Sequence, residues 1–350
     1  MRNRTIAYPC SDLVSFFGSA SPLSRVHQTL RAVGHRWRGR PTADARIALT
    51  YHGGGRPPPL AERDVAAIIV THNERRFLPS LLAHYRRLGI ARFLVVDDAS
   101  VDGTPDFLAE QPDVDLWTSN VRFAEAGRGK AWRAALLDLY GRDRWYLIVD
   151  ADEYLVFDAH DRGLDIPGLV DRLERRGIRR CAAPMLDAYR PGAIAAAVFD
   201  GAPGQMPWDV ATHIDGDGYT LTRGHTALEL TGGPRFRLFG SKAKMMKYPL
   251  LRVAPWDDVG APMHAPPPSP QNFRGIFGGL LHFKLFSDIR QQAEYKIQNG
   301  QHYRGAREYR NMRDHLEATE PDFGYAGSVA IGSSADFVAR GFFLPLSEER

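Results

Sequence analysis

The chain has 350 residues, 44% of them hydrophobic and 25% charged, which reads as a soluble globular protein with a sizeable core: one large α/β domain, or one with substantial additions. No apolar run reaches transmembrane length and the N-terminus lacks the apolar stretch of a signal peptide. Its only cysteines, Cys10 and Cys181, suggest neither a disulfide framework nor a cysteine metal site, so a reducing, cytoplasmic setting is expected. The net charge of +4 is uneven: residues 1–40 hold seven arginines and one acid, Asp12, which leaves the remainder at −2.

The basic segment 24–40 suits the anionic inner face of a membrane, with a solvated N-terminal arm as the alternative. No nucleic-acid motif accompanies it, and nucleic acid is not expected as a partner. Residues 53–63, rich in Gly and Pro, read as a linker, so residues 1–60 are expected to form an extension and 64–345 the main domain.

Element types then alternate. Val65–Val70 reads as a strand, and Phe77, Leu78, Leu81, Leu82, Tyr85 and Leu88 recur at helical spacing up to Gly89. Phe93–Val96 is a second strand, after which Thr104 is expected to cap a short helix with Pro105 at its first position. A helix from Gly129 to Tyr140 and a strand Trp145–Val149 follow. Ile166–Arg176 reads as a helix and Arg180–Leu186 as a strand. Thr226–Leu230 and Arg235–Phe239 are expected to pair as strands, and Ser287–Leu316 to form one or two polar helices. Such alternation predicts a mixed, mostly parallel sheet flanked by helices.

The residues with chemistry lie where these strands end. Thr71-His72-Asn73-Glu74 follows the first strand, Asp97-Asp98 the second, and Asp150-Ala151-Asp152-Glu153 interrupts an apolar run. Ligands of open α/β sheets bind at the carboxyl ends of strands, and three placements on one rim are hard to attribute to chance. Ionised carboxylates inside an apolar run need a cation or dense hydrogen bonding; if the strand continues, Asp150 and Asp152 share a side and suit Mg2+ or Mn2+. Turn and cap duty is the alternative for Asp97-Asp98, and a structural role the alternative for His72.

The runs Ala67–Glu74, Val95–Thr104 and Val149–Glu153, with Gly232-Gly-Pro-Arg-Phe-Arg-Leu-Phe239 and Leu281-His-Phe-Lys284 further on, resemble the family 2 glycosyltransferases over roughly residues 64 to 345. The resemblance implies a GT-A fold, which is Rossmann-like, with a nucleotide-sugar and metal half at 64–160 and an acceptor half at 161–345. It implies a nucleoside-diphosphate sugar donor, a uridine donor first, and a glycan, lipid-linked or small-molecule acceptor. His72, Asn73 and Glu74, following Thr71, would line the nucleoside pocket, with Asp97 reading the base edge and Asp98 nearby. Asp150 and Asp152 would hold Mn2+ or Mg2+ and the diphosphate, with His282 as a further metal ligand; a hydrogen-bonded core histidine is its alternative. Lys130, in Gly127-Arg-Gly-Lys130, would meet phosphate or sugar oxygens. Where many relatives carry Asn, this chain has Arg133.

An inverting transfer, as the resemblance implies, leaves charge on the diphosphate, which the metal, Lys284 and Arg235 would disperse. It also needs a carboxylate to take the acceptor proton: Asp187 leads, with Asp209, Asp215 and Asp217 as rivals. The alternatives are a sugar-nucleotide nucleotidyltransferase, against which stands the absence of glycine in Thr71–Arg76, and a non-catalytic nucleotide-sugar-binding protein.

Overall fold

The computed structural model describes residues 4–18, 46–255, 257, 263–299, 307–318 and 320–346. The basic segment 24–40 lies outside them. In chain order the strands are β1 (Thr5–Tyr8), β2 (Leu49–Tyr51), β3 (Ala66–Thr71), β4 (Arg92–Asp97), β5 (Val114–Ser119), β6 (Arg144–Val149), β7 (Glu153–Phe157), β8 (Arg180–Asp187), β9 (His213–Asp215), β10 (Tyr219–Arg223), β11 (Leu228–Thr231), β12 (Met246–Val253), β13 (Gly278–His282) and β14 (Ser328–Ala330).

Nine of them form one sheet in the order β2-β5-β4-β3-β6-β12-β8-β13-β7. The run β5-β4-β3-β6 is parallel throughout, as is β8-β13, and the other neighbours are antiparallel. The sheet is therefore mixed, with its parallel heart in the first half of the chain. From β3 the chain moves outward to β4 and β5, then returns to the other side of β3 as β6. That reversal opens a crevice at the carboxyl ends of β3 and β6.

Both faces are covered because β3 is apolar on both: Ala67 and Ile69 enter one core cluster, Ala66 and Ile68 another. The helices Leu78–Arg87 and Ile166–Arg175 bury Leu78, Leu81, Tyr85, Leu169 and Leu173 on the first face. The helix Lys130–Tyr140 buries Trp132, Leu136 and Leu137 on the second. Helix Ile166–Arg175 starts where the Asp165 carboxylate accepts the Gly168 N–H at 2.8 Å, and helix Leu78–Arg87 ends before Gly89, at φ 79°.

Two local expectations give way. Arg235–Phe239 is not a strand but part of helix Pro234–Phe239, which Pro234 opens and Gly240, at φ 62°, closes; β11 pairs with β10 instead. Thr104 does not cap its helix: Gly103 occupies the cap position, and the Asp102 carboxylate accepts the Thr104 N–H at 3.1 Å. Ser287–Leu316 holds two helices, Ile289–Asn299 and Arg307–Ala318.

The chain also uses residues ahead of the linker. β1 pairs with β10 and β2 with β5, while Tyr8, Leu13 and Phe16 are buried in the main core. Among the described residues, no helix is long and apolar enough to cross a membrane.

Candidate functional site at the strand ends

Parallel β3, β4 and β6 all end on one rim. β8 and β13, parallel to each other with Asp187 opposite His282, bring their last residues to it, and β7 begins there, Glu153 opposite His282. The rim therefore gathers Asp150, Asp152, Glu153, Asp187 and His282 from segments far apart in sequence.

Asp150-Ala151-Asp152 does not prolong β6. The Glu153 N–H returns to the Asp150 carbonyl at 3.2 Å, so the three residues form a tight turn and the two aspartates go different ways. Asp150 accepts from Lys247 Nζ at 2.6 Å, and Lys247 also bonds the buried Glu153 carboxylate. Asp152 lies 3.3 Å from His282 Nε2. His282 Nδ1 donates to Asp187 Oδ1 at 2.6 Å, and Arg235 Nε donates to Asp187 Oδ2 at 2.8 Å.

Asp187 is 0% exposed, His282 3% and Arg235 5%, so these contacts form away from water. Burial alone would raise the Asp187 carboxyl; Arg235 foremost, with His282, holds it well below the usual carboxylate range. Burial would likewise lower the His282 imidazole, but Asp152 and Asp187 outweigh it and push it up to about 9. The four carboxylates here are faced by Lys247, Arg235 and the imidazole, with Lys284 attracting Asp152 and Arg133 attracting Asp150 at longer range. Asp152, Glu153 and His282 each bring a ligand atom within 4.8 Å of the others, an arrangement that could hold a metal ion. Lys247 engages the Glu153 carboxylate of this group as well as that of Asp150, the residue to which the sequence points.

The nucleoside-side residues form a second group across the β3–β4 ends. Asn73 adopts a left-handed backbone, φ 57°, which asparagine tolerates; its Oδ1 accepts the Val101 N–H at 2.8 Å and its own N–H donates to Ser100 Oγ at 2.8 Å. His72 Nδ1 donates to the Asp98 carbonyl at 2.6 Å, so Nε2 accepts from the Tyr295 hydroxyl at 2.6 Å. That hydroxyl also accepts from Asn73 Nδ2 at 2.9 Å. Asp98 is buried and paired with Arg122 at 2.8 Å. Asp97 accepts the Ser100 N–H through Oδ2, while Asp97 Oδ1 and Thr71 Oγ1 are buried without a hydrogen-bond partner. Glu74 faces Lys296 at 3.7 Å; burial raises its carboxyl to about 7 against the pull of that lysine. A cleft of about 670 Å³ runs past His72, Asn73, Arg76 and Tyr295.

Lys130 opens its helix, and Lys284 Nζ sits 5.2 Å from the centre of the Tyr309 ring. Among the rival bases, Asp215 is buried against Tyr189 and Arg237, Asp217 accepts from the Tyr325 hydroxyl, and Asp209 accepts the Met206 N–H. Lys247, Tyr295 and Arg122 escape the sequence reading. Lys247 leaves one trace there, a charge set among Met245, Met246, Tyr248, Pro249, Leu250 and Leu251.

The sheet with its switch point and acidic rim defines an α/β protein of the Rossmann-like, nucleotide-sugar-binding class. Residues 66–176 match the family model described as glycosyl transferase family 2. No curated protein matches the chain. Among solved structures it is similar to a 4-diphosphocytidyl-2C-methyl-D-erythritol synthase, at 19% identity over 37% of this chain and 64% of that one, TM-score 0.27. The bifunctional IspDF of Campylobacter jejuni aligns at 10% identity over 54% of this chain and 41% of its own, TM-score 0.24. The UTP-bound UGPase of Acinetobacter baumannii aligns at 10% identity over 73% and 84%, TM-score 0.24. At these scores nothing is carried over from them.

Proposed function

We propose that the chain is a glycosyltransferase moving a sugar from a nucleoside-diphosphate sugar, a uridine donor foremost, to a hydroxyl of a glycan, lipid-linked or small-molecule acceptor, with Mn2+ or Mg2+. The supporting observation is the rim cluster of Asp152, Glu153 and His282 on a chain whose 66–176 segment matches the family. Two carboxylates and an imidazole are a donor set that Mn2+ accepts. When bound, the ion would supply Lewis-acid charge against the departing diphosphate.

The chain's own groups do the rest. Asp187 fixes the His282 ring through Nδ1 and leaves Nε2 directed at Asp152. With both of its oxygens engaged and no exposure, Asp187 acts in this reading as a positioning residue, not as the base that the sequence points to. His72 and Asn73, locked to the β4 loop, present a fixed wall to the nucleoside.

Thermal-shift titration with uridine diphosphate tests the reading, because ligand binding to the folded state raises its stability. The expected result is a shift that needs Mn2+ and disappears in Asp152→Ala; an equal shift in that variant removes the metal assignment. With a sugar nucleotide and acceptor, release of nucleoside diphosphate marks transfer, whereas pyrophosphate release from a nucleoside triphosphate and a sugar phosphate marks nucleotidyl transfer.

A further inference from the structure

Lys247 Nζ bridges two carboxylates of the rim, Asp150 Oδ2 at 2.6 Å and Glu153 Oε1. The backbone of β12 accounts for its reach. Lys247 stands opposite Ala183 of β8 and Leu250 opposite Cys181, so three steps of β12 match two of β8. Such a bulge re-aims the side chains beside it, and the largely buried Lys247 side chain arrives at the turn Asp150–Glu153. Burial would lower its ammonium, but Asp150 and Glu153 outweigh that and hold it above the usual lysine range, so it keeps its charge.

Glu153 is engaged at both oxygens. Oε1 takes Lys247, Oε2 accepts the Asp150 N–H at 3.2 Å, and the residue is buried. Yet Glu153 is also a member of the group, with Asp152 and His282, whose ligand atoms lie within 4.8 Å of one another. An ion taken by those three would share the Glu153 carboxylate with an ammonium already bonded to it. Two cations on one buried carboxylate repel strongly, because little water screens them. Asp150 does not relieve the competition: its side chain is mostly exposed and holds the same ammonium.

We propose that Lys247 is a resident cation of the rim that competes with the divalent ion for Glu153 and so limits how tightly the site takes it. This rests on the metal assignment of the transfer reading. The rim is then partly neutralised before an ion arrives, and it releases its ion readily.

Calorimetric titration of the full chain with manganese chloride, without nucleotide, tests it. Lys247→Met keeps an unbranched side chain and removes the charge, and it is expected to bind Mn2+ at least about tenfold more tightly than wild type. Damage to the site would weaken binding, so a merely structural role for Lys247 does not produce a gain. Lys247→Arg, which keeps the charge, should show no gain, and adding Glu153→Gln to Lys247→Met should abolish it. A gain that survives Glu153→Gln overturns Glu153 as the contested ligand, and equal or weaker binding by a folded Lys247→Met overturns the proposal. If that variant unfolds without the ion, thermal unfolding decides: Mn2+ should raise its Tm by more than it raises that of wild type, and an equal or smaller rise overturns the proposal. Loss of Mn2+ binding in Asp152→Ala upholds the metal assignment whatever Lys247→Met shows, whereas no binding by wild type and by Lys247→Met overturns both.

Discussion

Asp187 stays ionised with no exposure because Arg235 and His282 each claim one of its oxygens. Removing one partner from such a buried pair leaves the other charge uncompensated, at about 3–5 kcal/mol. Asp187→Asn keeps an oxygen for His282 Nδ1–H but turns an amide donor toward Arg235. We expect a loss of about 3 kcal/mol in denaturant unfolding. As the partner that orients a metal-ligating imidazole, it should also weaken Mn2+ binding by about 10–100-fold, measured by calorimetry. Unchanged Mn2+ affinity with turnover lost would restore Asp187 as the base. The residues of this cluster were unequally legible in sequence. Asp150, Asp152 and His282 stand out as polar groups in apolar runs. Their pairing does not, because a tight turn at Ala151 sends the two aspartates apart and a lysine from β12, about 100 residues on, decides which remains available.

At the scale of elements, period and punctuation were enough for β3, β4, β6, β8 and the three long helices packed on them, since each carries an apolar face and a stop. The short pieces were not readable in the same way. Pro234–Phe239 is six residues long, and its apolar positions suit a strand as well as a helix; only Pro234 and Gly240 mark it. β1 is four residues and depends on β10 for its hydrogen bonds, so its own sequence says little. It is nevertheless anchored: Tyr8 is 1% exposed, packs edge-on against Tyr219 and Phe342 with ring centroids at 6.2 and 5.9 Å, and donates to the Phe342 carbonyl. Tyr8→Ala should therefore cost about 3–5 kcal/mol, as removal of a large buried aromatic does. Urea unfolding checks this, and a change below about 1 kcal/mol, ordinary for surface substitutions, would mean that the N-terminal strand is detachable.

At the scale of the whole molecule, one contribution to stability comes from a histidine kept neutral where a helix meets the edge strand β7. His84, on helix Leu78–Arg87, is 1% exposed; its Nε2 donates to the Leu155 carbonyl of β7 at 3.0 Å and its Nδ1 accepts from Arg87 at 3.3 Å. That pattern requires the neutral ring. Burial, the largest influence, brings its pKa down to about 3, against about 6.5 for an unfolded histidine. Between those values the unfolded chain binds the extra proton, so this contribution is complete above about pH 6.5 and is lost as the pH falls toward 3. Each unit in that window removes about 1.4 kcal/mol, or roughly 3 kcal/mol between pH 7 and 4.5. His84→Gln keeps an amide donor for Leu155 and cannot titrate. It should be less stable than wild type at pH 7, and the difference should shrink by about that 3 kcal/mol at pH 4.5. Urea unfolding of both proteins at the two pH values measures it. A difference that does not change with pH would show that His84 binds protons equally in the folded and unfolded chains, and that acid sensitivity arises at the carboxylate-rich rim instead.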